Sequence, residues 1–72
     1  MNIREVFAQN LKKYRRLRKI SQEELAYAAD IDRTYVSALE RKIYSASLDV
    51  VASIAKALDV EPSELLVKQR KK

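Results

Sequence analysis

Two helix-start signals stand eleven positions apart, at Ser21 and Asp32, and they restrict this chain more than any other feature. Ser21-Gln22-Glu23-Glu24 reads as a capping box, in which the Ser21 hydroxyl accepts the amide of Glu24 and the Glu24 carboxylate returns to the amide of Ser21. The helix opened there carries Leu25, Ala26, Ala28 and Ala29 and is expected to stop by Asp30, after about eight residues. Asp32 is the next N-cap candidate, and the following segment, 33–40, places Val36 and Leu39 three apart on one face. Two short helices joined by so tight a turn need a small residue where they cross. Ala26, ten positions before Val36, supplies it.

This spacing is that of a helix-turn-helix over about 21–40. Gln22, Ala26, Val36 and Leu39 take its first, fifth, fifteenth and eighteenth places, and the second helix, about 33–40, has the geometry that enters a major groove. An ordinary helical hairpin with Ala at a close crossing is the competing reading. On the amino-terminal side, Ile3, Val6, Phe7, Leu11, Tyr14 and Leu17 recur at three- and four-residue steps, the signature of an amphipathic helix. Its other face bears Lys12, Lys13, Arg15, Arg16, Arg18 and Lys19, either a solvated stripe near a helix C-terminus or a surface for anions. Residues 41–46 are polar and aperiodic. Ser47 then caps a helix with the expected core stripe Leu48, Val51, Ile54, Ala55 and Leu58, and Pro62 fits the first position of a last short helix carrying Leu65 and Leu66. The expected fold is therefore all-α, a compact five-helix bundle built around the helix-turn-helix, with one domain over 1–67 and a basic, flexible tail over 68–72.

Composition narrows function by exclusion. The chain has no Cys and no His, so a disulfide framework or iron–sulfur cluster is ruled out, and zinc would have to rely on carboxylates alone. The same absence removes the usual general base and the strongest nucleophile, which argues against an enzyme. No cofactor, metal or small-molecule ligand is expected. No apolar run approaches the ~18 residues of a membrane span and the amino end lacks a signal-peptide pattern, so a cytoplasmic protein without a membrane partner is expected. Fifteen Lys and Arg against ten Asp and Glu, a formal charge of +5, favour an anionic partner.

The segments Gln22-Glu23-Glu24-Leu25-Ala26 and Asp32-Arg33-Thr34-Tyr35-Val36-Ser37-Ala38-Leu39-Glu40-Arg41, followed by the apolar pattern from 48 to 66, resemble the Cro and lambda-repressor (XRE) type helix-turn-helix domain. The resemblance spans about 6–66, and the Arg-Thr-Tyr variant is similar to that of the stand-alone controller proteins of restriction-modification systems. It implies a five-helix fold that binds double-stranded operator DNA as a homodimer and regulates transcription.

Candidate site residues follow from chemistry and from that resemblance together. Arg33, in the first turn of the recognition helix, has the guanidinium that bridges O6 and N7 of guanine; a phosphate clamp is its alternative role. Thr34 suits a base edge or a thymine methyl, or else a local cap, while Tyr35 fits the DNA backbone or a flexible base step. Phosphate contacts are expected from Gln22, which the family uses as a backbone clamp, from Ser37, and from the loop residues Arg41, Lys42, Tyr44 and Ser45. In the bland alternative, Tyr44 packs its ring on the fourth helix. The resemblance pairs Arg15 with Glu40 in a structural salt bridge that also holds Arg15 near a phosphate.

Self-association is expected through Val60, Leu65, Leu66 and Val67, which so small a unit cannot cover entirely. An activating role would add RNA polymerase as a partner, and repression would not. Two competing functions are an antitoxin-type protein-interaction module that touches DNA secondarily, and a basic helical peptide with no sequence preference. The chain also departs from the family. Asp30, Lys42 and Asp59 stand where members often have Gly, so left-handed corners must be made without it; Lys42 then either avoids that conformation or keeps its charge for a phosphate.

Overall fold

The computed structural model describes residues 2–68, and they form α1 (Ile3–Leu17), α2 (Gln22–Ala29), α3 (Arg33–Glu40), α4 (Leu48–Leu58) and α5 (Pro62–Leu66). Of the expected basic tail, only Lys68 is among the described residues, where it is exposed; 69–72 lie outside them.

Each start is fixed by local chemistry. Ser21 and Glu24 close the anticipated capping box on α2, and Asp32 and Ser47 accept the amides of Thr34 and Val50 at the heads of α3 and α4. Pro62 occupies the first turn of α5. A further box joins Asn2 and Glu5 at the head of α1, a signal present in the sequence but overlooked beside the stronger one at Ser21.

The four helix ends share one construction. Lys19, Asp30, Lys42 and Asp59 are left-handed, with φ of 58°, 60°, 66° and 60°. At each corner the left-handed residue and its successor donate amides back to the helix, as with Lys42 to Leu39 and Ile43 to Ala38. This is the Schellman arrangement, which favours an apolar residue after the left-handed one. Ile20, Ile31, Ile43 and Val60 fill that place. The two Asp corners agree with the expectation from sequence. Lys42 proves left-handed despite its side chain, and Lys19 is a fourth such corner that the pattern of missing glycines did not flag.

The core gathers Phe7 and Leu11 from α1, Leu25, Ala26 and Ala29 from α2, Val36 and Leu39 from α3, four side chains of α4 and Leu65 of α5. α2 packs on both α3 and α4, and α1 on α3 and α5. Ala26 and Val36 are both buried, as the crossing requires. Three residues placed on core stripes by periodicity are instead on the surface: Leu48 is 82% exposed, Leu17 62% and Ile3 60%. Leu48 and Ile3 are the first residues of their helices, and a helical Cα–Cβ bond tilts toward the N-terminus, which carries such a side chain past the end of its own helix. Leu17 is the last residue of α1, and the bond back to the fold there comes from the next residue, exposed Arg18, whose guanidinium donates to the carbonyls of Leu58 and Asp59 at 2.7 and 3.2 Å and caps α4.

Leu65 is fully buried, so the expectation that it offers surface to a second chain does not hold. As the inward residue of a five-residue helix it is the buried side chain that anchors α5 in the core, while Leu66 packs half-buried against that core and Val67 is exposed. Asn10 completes the anchor from within. It is 2% exposed, and its Nδ2 donates to the carbonyls of Leu65 and Val67, both at 2.9 Å.

Candidate nucleic-acid interface

The carboxylate of Glu40, the last residue of α3, is buried and ties three helices together. Arg15 of α1 reaches it twice, Nε to Oε2 at 2.6 Å and Nη2 to Oε1 at 3.1 Å, and Gln22 of α2 donates Nε2 to Oε1 at 3.0 Å. Arg15 Nη1 also donates to the carbonyl of Ile20 at 3.0 Å, fixing the corner between α1 and α2. The hydrogen bond to Glu40 is the main cause that raises the guanidinium pKa above its usual value, against the opposing effect of burial. A bidentate, charge-assisted pair of this kind fixes angle as well as distance. It sets the tilt of α3 relative to α1, and it orients the Gln22 amide at the first position of α2.

Arg33 is the first residue of α3 and is exposed, with Thr34 exposed beside it. The Thr34 hydroxyl donates to Asp32 Oδ1 at 2.6 Å, and its amide donates to the same oxygen at 2.8 Å. Of the two roles open to this hydroxyl, its proton takes the local cap, which leaves a methyl and oxygen lone pairs for another molecule. These two bonds, the side-chain one first, hold the Asp32 carboxyl below its ordinary pKa.

Tyr35 is half-buried, its ring 6.1 Å from that of Tyr44 at an interplanar angle of 57° and its hydroxyl 3.5 Å from the carbonyl of Ser45. Thr34, Tyr35, Ala38, Arg41, Ile43 and Tyr44 line one shallow hollow, so α3 and the loop after it share a face. Tyr44 is 56% exposed and stands against Tyr35 as well as beside Val51 of α4 in a second cleft. Ser45 accepts Arg4 Nε at 2.9 Å, which moors the loop to α1. Arg41 and Lys42 are exposed and Ser37 is half-buried.

The basic run of α1 divides by function. Arg15 is engaged inside the fold, Arg18, though exposed, is tied to the end of α4, and Lys13 lies 5.3 Å from the centre of the Tyr14 ring. Arg16 and Lys19 are exposed, and Lys12 is half-buried. Sequence reasoning missed the structural work of Arg18 and Asn10, because a side chain that bonds distant carbonyls leaves no local pattern.

Within this geometry, residues 11–65 match the helix-turn-helix family model, HTH_3. The chain belongs to the helix-turn-helix family. It is 38% identical over 96% of its length to the control protein C.SmaI of Serratia marcescens, of which it covers 82%. It superposes with a TM-score of 0.83 on the restriction-modification controller protein C.AhdI of Aeromonas hydrophila, at 40% identity over 86% of this chain and 94% of that one. A TM-score of 0.82, at 29% identity over 90% of this chain and 86% of the other, relates it to the controller protein C.Esp1396I, solved as a tetramer in complex with its natural 35 base-pair operator. The XRE-type resemblance drawn from the Gln-Glu-Glu-Leu-Ala and Arg-Thr-Tyr segments is thus the family found by comparison. Among the described residues no group of His, Cys, Asp or Glu is arranged to hold a metal ion, and no helix is long and apolar enough to cross a membrane.

Proposed function

We propose that this chain is a sequence-specific, DNA-binding transcriptional regulator, acting in the cytoplasm without catalytic activity as a homodimer on a roughly palindromic operator. The observation that carries the reading is the shared face of α3 and its following loop, with Arg33, Arg41 and Lys42 exposed along this segment and the end of α3 fixed by the Arg15–Glu40–Gln22 node. Arg33 reads guanine, and Thr34 presents its methyl to a neighbouring base. The pair Tyr35 and Tyr44 lies against the sugar–phosphate edge. Gln22, Arg41, Lys42, Ser37 and Ser45 position the chain on phosphates, which set register without selecting sequence. Arg15 has two of its five donors left after its three bonds, so it contributes to phosphate binding chiefly through charge. The solved relative on its operator supports the choice of duplex DNA over other anions.

One recognition helix reads few bases, and a two-fold pair would set two of them about 34 Å apart, one turn of DNA. Exposed Val67 with half-buried Val60 and Leu66, the latter in a cleft with Ile3, supply the apolar surface for such a pair. The direct test is footprinting on the DNA upstream of the chain's own gene in excess random duplex. A protected, near-palindromic segment that survives the competitor is expected. Protection that random duplex titrates away would refute sequence-specific binding.

A further inference from the structure

We infer that Lys19, in the corner between α1 and α2, is a further contact to the DNA backbone, an inference that rests on the DNA-binding reading above. Four corners of this fold require a left-handed residue, and none has glycine. A side chain makes that conformation costly, and Asp relieves the cost by bonding locally. Asp30 and Asp59 are residues of that tolerant type. Lys19 and Lys42 have no such relief, and a strained residue that persists points to a use for its side chain.

Both lysines adjoin the same node. Lys42 follows Glu40 by two residues; Lys19 precedes Gln22 by three, and the Ile20 carbonyl next to it is held by Arg15. Three residues of chain span at most about 10 Å, so the Lys19 backbone lies within that distance of Gln22. Neither ammonium makes a hydrogen bond or ion pair among the described residues, and both residues are exposed. Lys19 thus stands at the corner that leads into Gln22, and Lys42 at the corner just after Glu40, so in this proposal the two cations add to the grip on phosphates at the two chain ends of the node. Gly would fit the backbone at either corner and would give up the charge.

The favourable interaction of a cation with a helix C-terminus is the competing explanation for Lys19. Four chains separate the two: wild type, Lys19→Gly, Lys19→Asn and Lys19→Arg, titrated with operator and with random duplex between 0.05 and 0.3 M salt and melted without DNA. One lost phosphate contact lowers the slope of log affinity against log salt by about 0.9, which is roughly eightfold in affinity at about 0.1 M salt. Lys19→Gly and Lys19→Asn should show that loss equally on both duplexes and melt no lower than wild type. Lys19→Arg should keep the wild-type slope. If wild type binds the operator specifically and Lys19→Gly leaves slope and affinity unchanged, Lys19 is a helix-end cation only and this inference is wrong. A wild-type chain with no salt-dependent affinity for either duplex would overturn the DNA-binding reading itself.

Discussion

Glu40 ends α3 with its carboxylate bonded to Arg15 Nε at 2.6 Å and to Arg15 Nη2 at 3.1 Å, and only 4% of its side chain meets solvent. A buried pair of this kind contributes little over a well-packed apolar pair, yet breaking one side strands the other. Glu40→Ala should cost about 3 to 5 kcal/mol, and so lower the melting temperature by at least about 12 °C in a domain of this size. Glu40→Gln should melt lower than wild type by a smaller margin. Calorimetry decides the matter, since a wild-type melting temperature for Glu40→Gln would mean that the charge pair adds no stability.

Arg33 opens α3 and Arg41 follows its last residue, both exposed, and the reading above gives them different tasks. Arg33→Ala should flatten discrimination at one base-pair position, at about 1 to 3 kcal/mol, with the other positions keeping their preferences. Arg41→Ala should weaken all sequences alike and reduce the salt slope by about one. Binding selections on randomised half-sites separate these results, and an unchanged preference in Arg33→Ala would assign base reading elsewhere.

Leu66 is half-buried and lines a cleft with Ile3, Phe7 and Val51, whereas Leu65 beside it is fully buried. Leu66→Arg should keep the helical content and weaken both self-association and operator binding; Leu65→Arg should unfold the chain, because it places an unpaired charge in the core. Sedimentation equilibrium with circular dichroism tests the contrast. A wild-type chain that sediments as a monomer at tens of micromolar would remove the dimer.

Two groups predict opposite arms of the stability–pH profile. Burial first, then the charge of Glu64 and the hydrogen bond to it, raise the Tyr14 pKa above its ordinary 10.0. The folded state therefore holds that proton more tightly, and the stabilisation is complete below the ordinary value and disappears as pH rises through the raised one. The Asp32 carboxyl is lowered from 3.8 by its bonds to Thr34, so its contribution is present above the ordinary value and disappears as pH falls through the lowered one. Tyr14→Phe should flatten the alkaline arm and Asp32→Asn the acid arm in melts across pH. With no His in the chain, operator affinity at fixed salt should stay level from pH 6 to 8.

The parts of this fold that were legible in sequence are those encoded over three or four residues. Ser21 with Glu24, Asp32 with Thr34, and Pro62 at the first turn of α5 fixed helix starts because a cap bonds only to its neighbours. The Arg15–Glu40 contact, twenty-five residues apart, came from family resemblance and not from any local rule. Periodicity failed at Leu48, Leu17 and Ile3, where a helix runs out of neighbours, since it assigns a face without knowing where that face ends. Lys19 went unnoticed for a related reason. A left-handed corner is dictated by where the next helix must go, and Lys carries no local sign of it.

Asn10 and Arg15 lie five residues apart on α1, one holding the carbonyls of Leu65 and Val67 and the other the carboxylate that ends α3. Five residues of helix span about 7.5 Å of continuous hydrogen-bonded rod, without a glycine or a loop in between. For two chains joined through α5, the seam and the reading helix are thus referenced to one unjointed element. A base pair inserted at the centre of an operator shifts one half by about 3.4 Å and rotates it, and a pair of these chains has no hinge along that rod with which to follow. In such a pair, the stiffness of the first helix would set the phase of the operator.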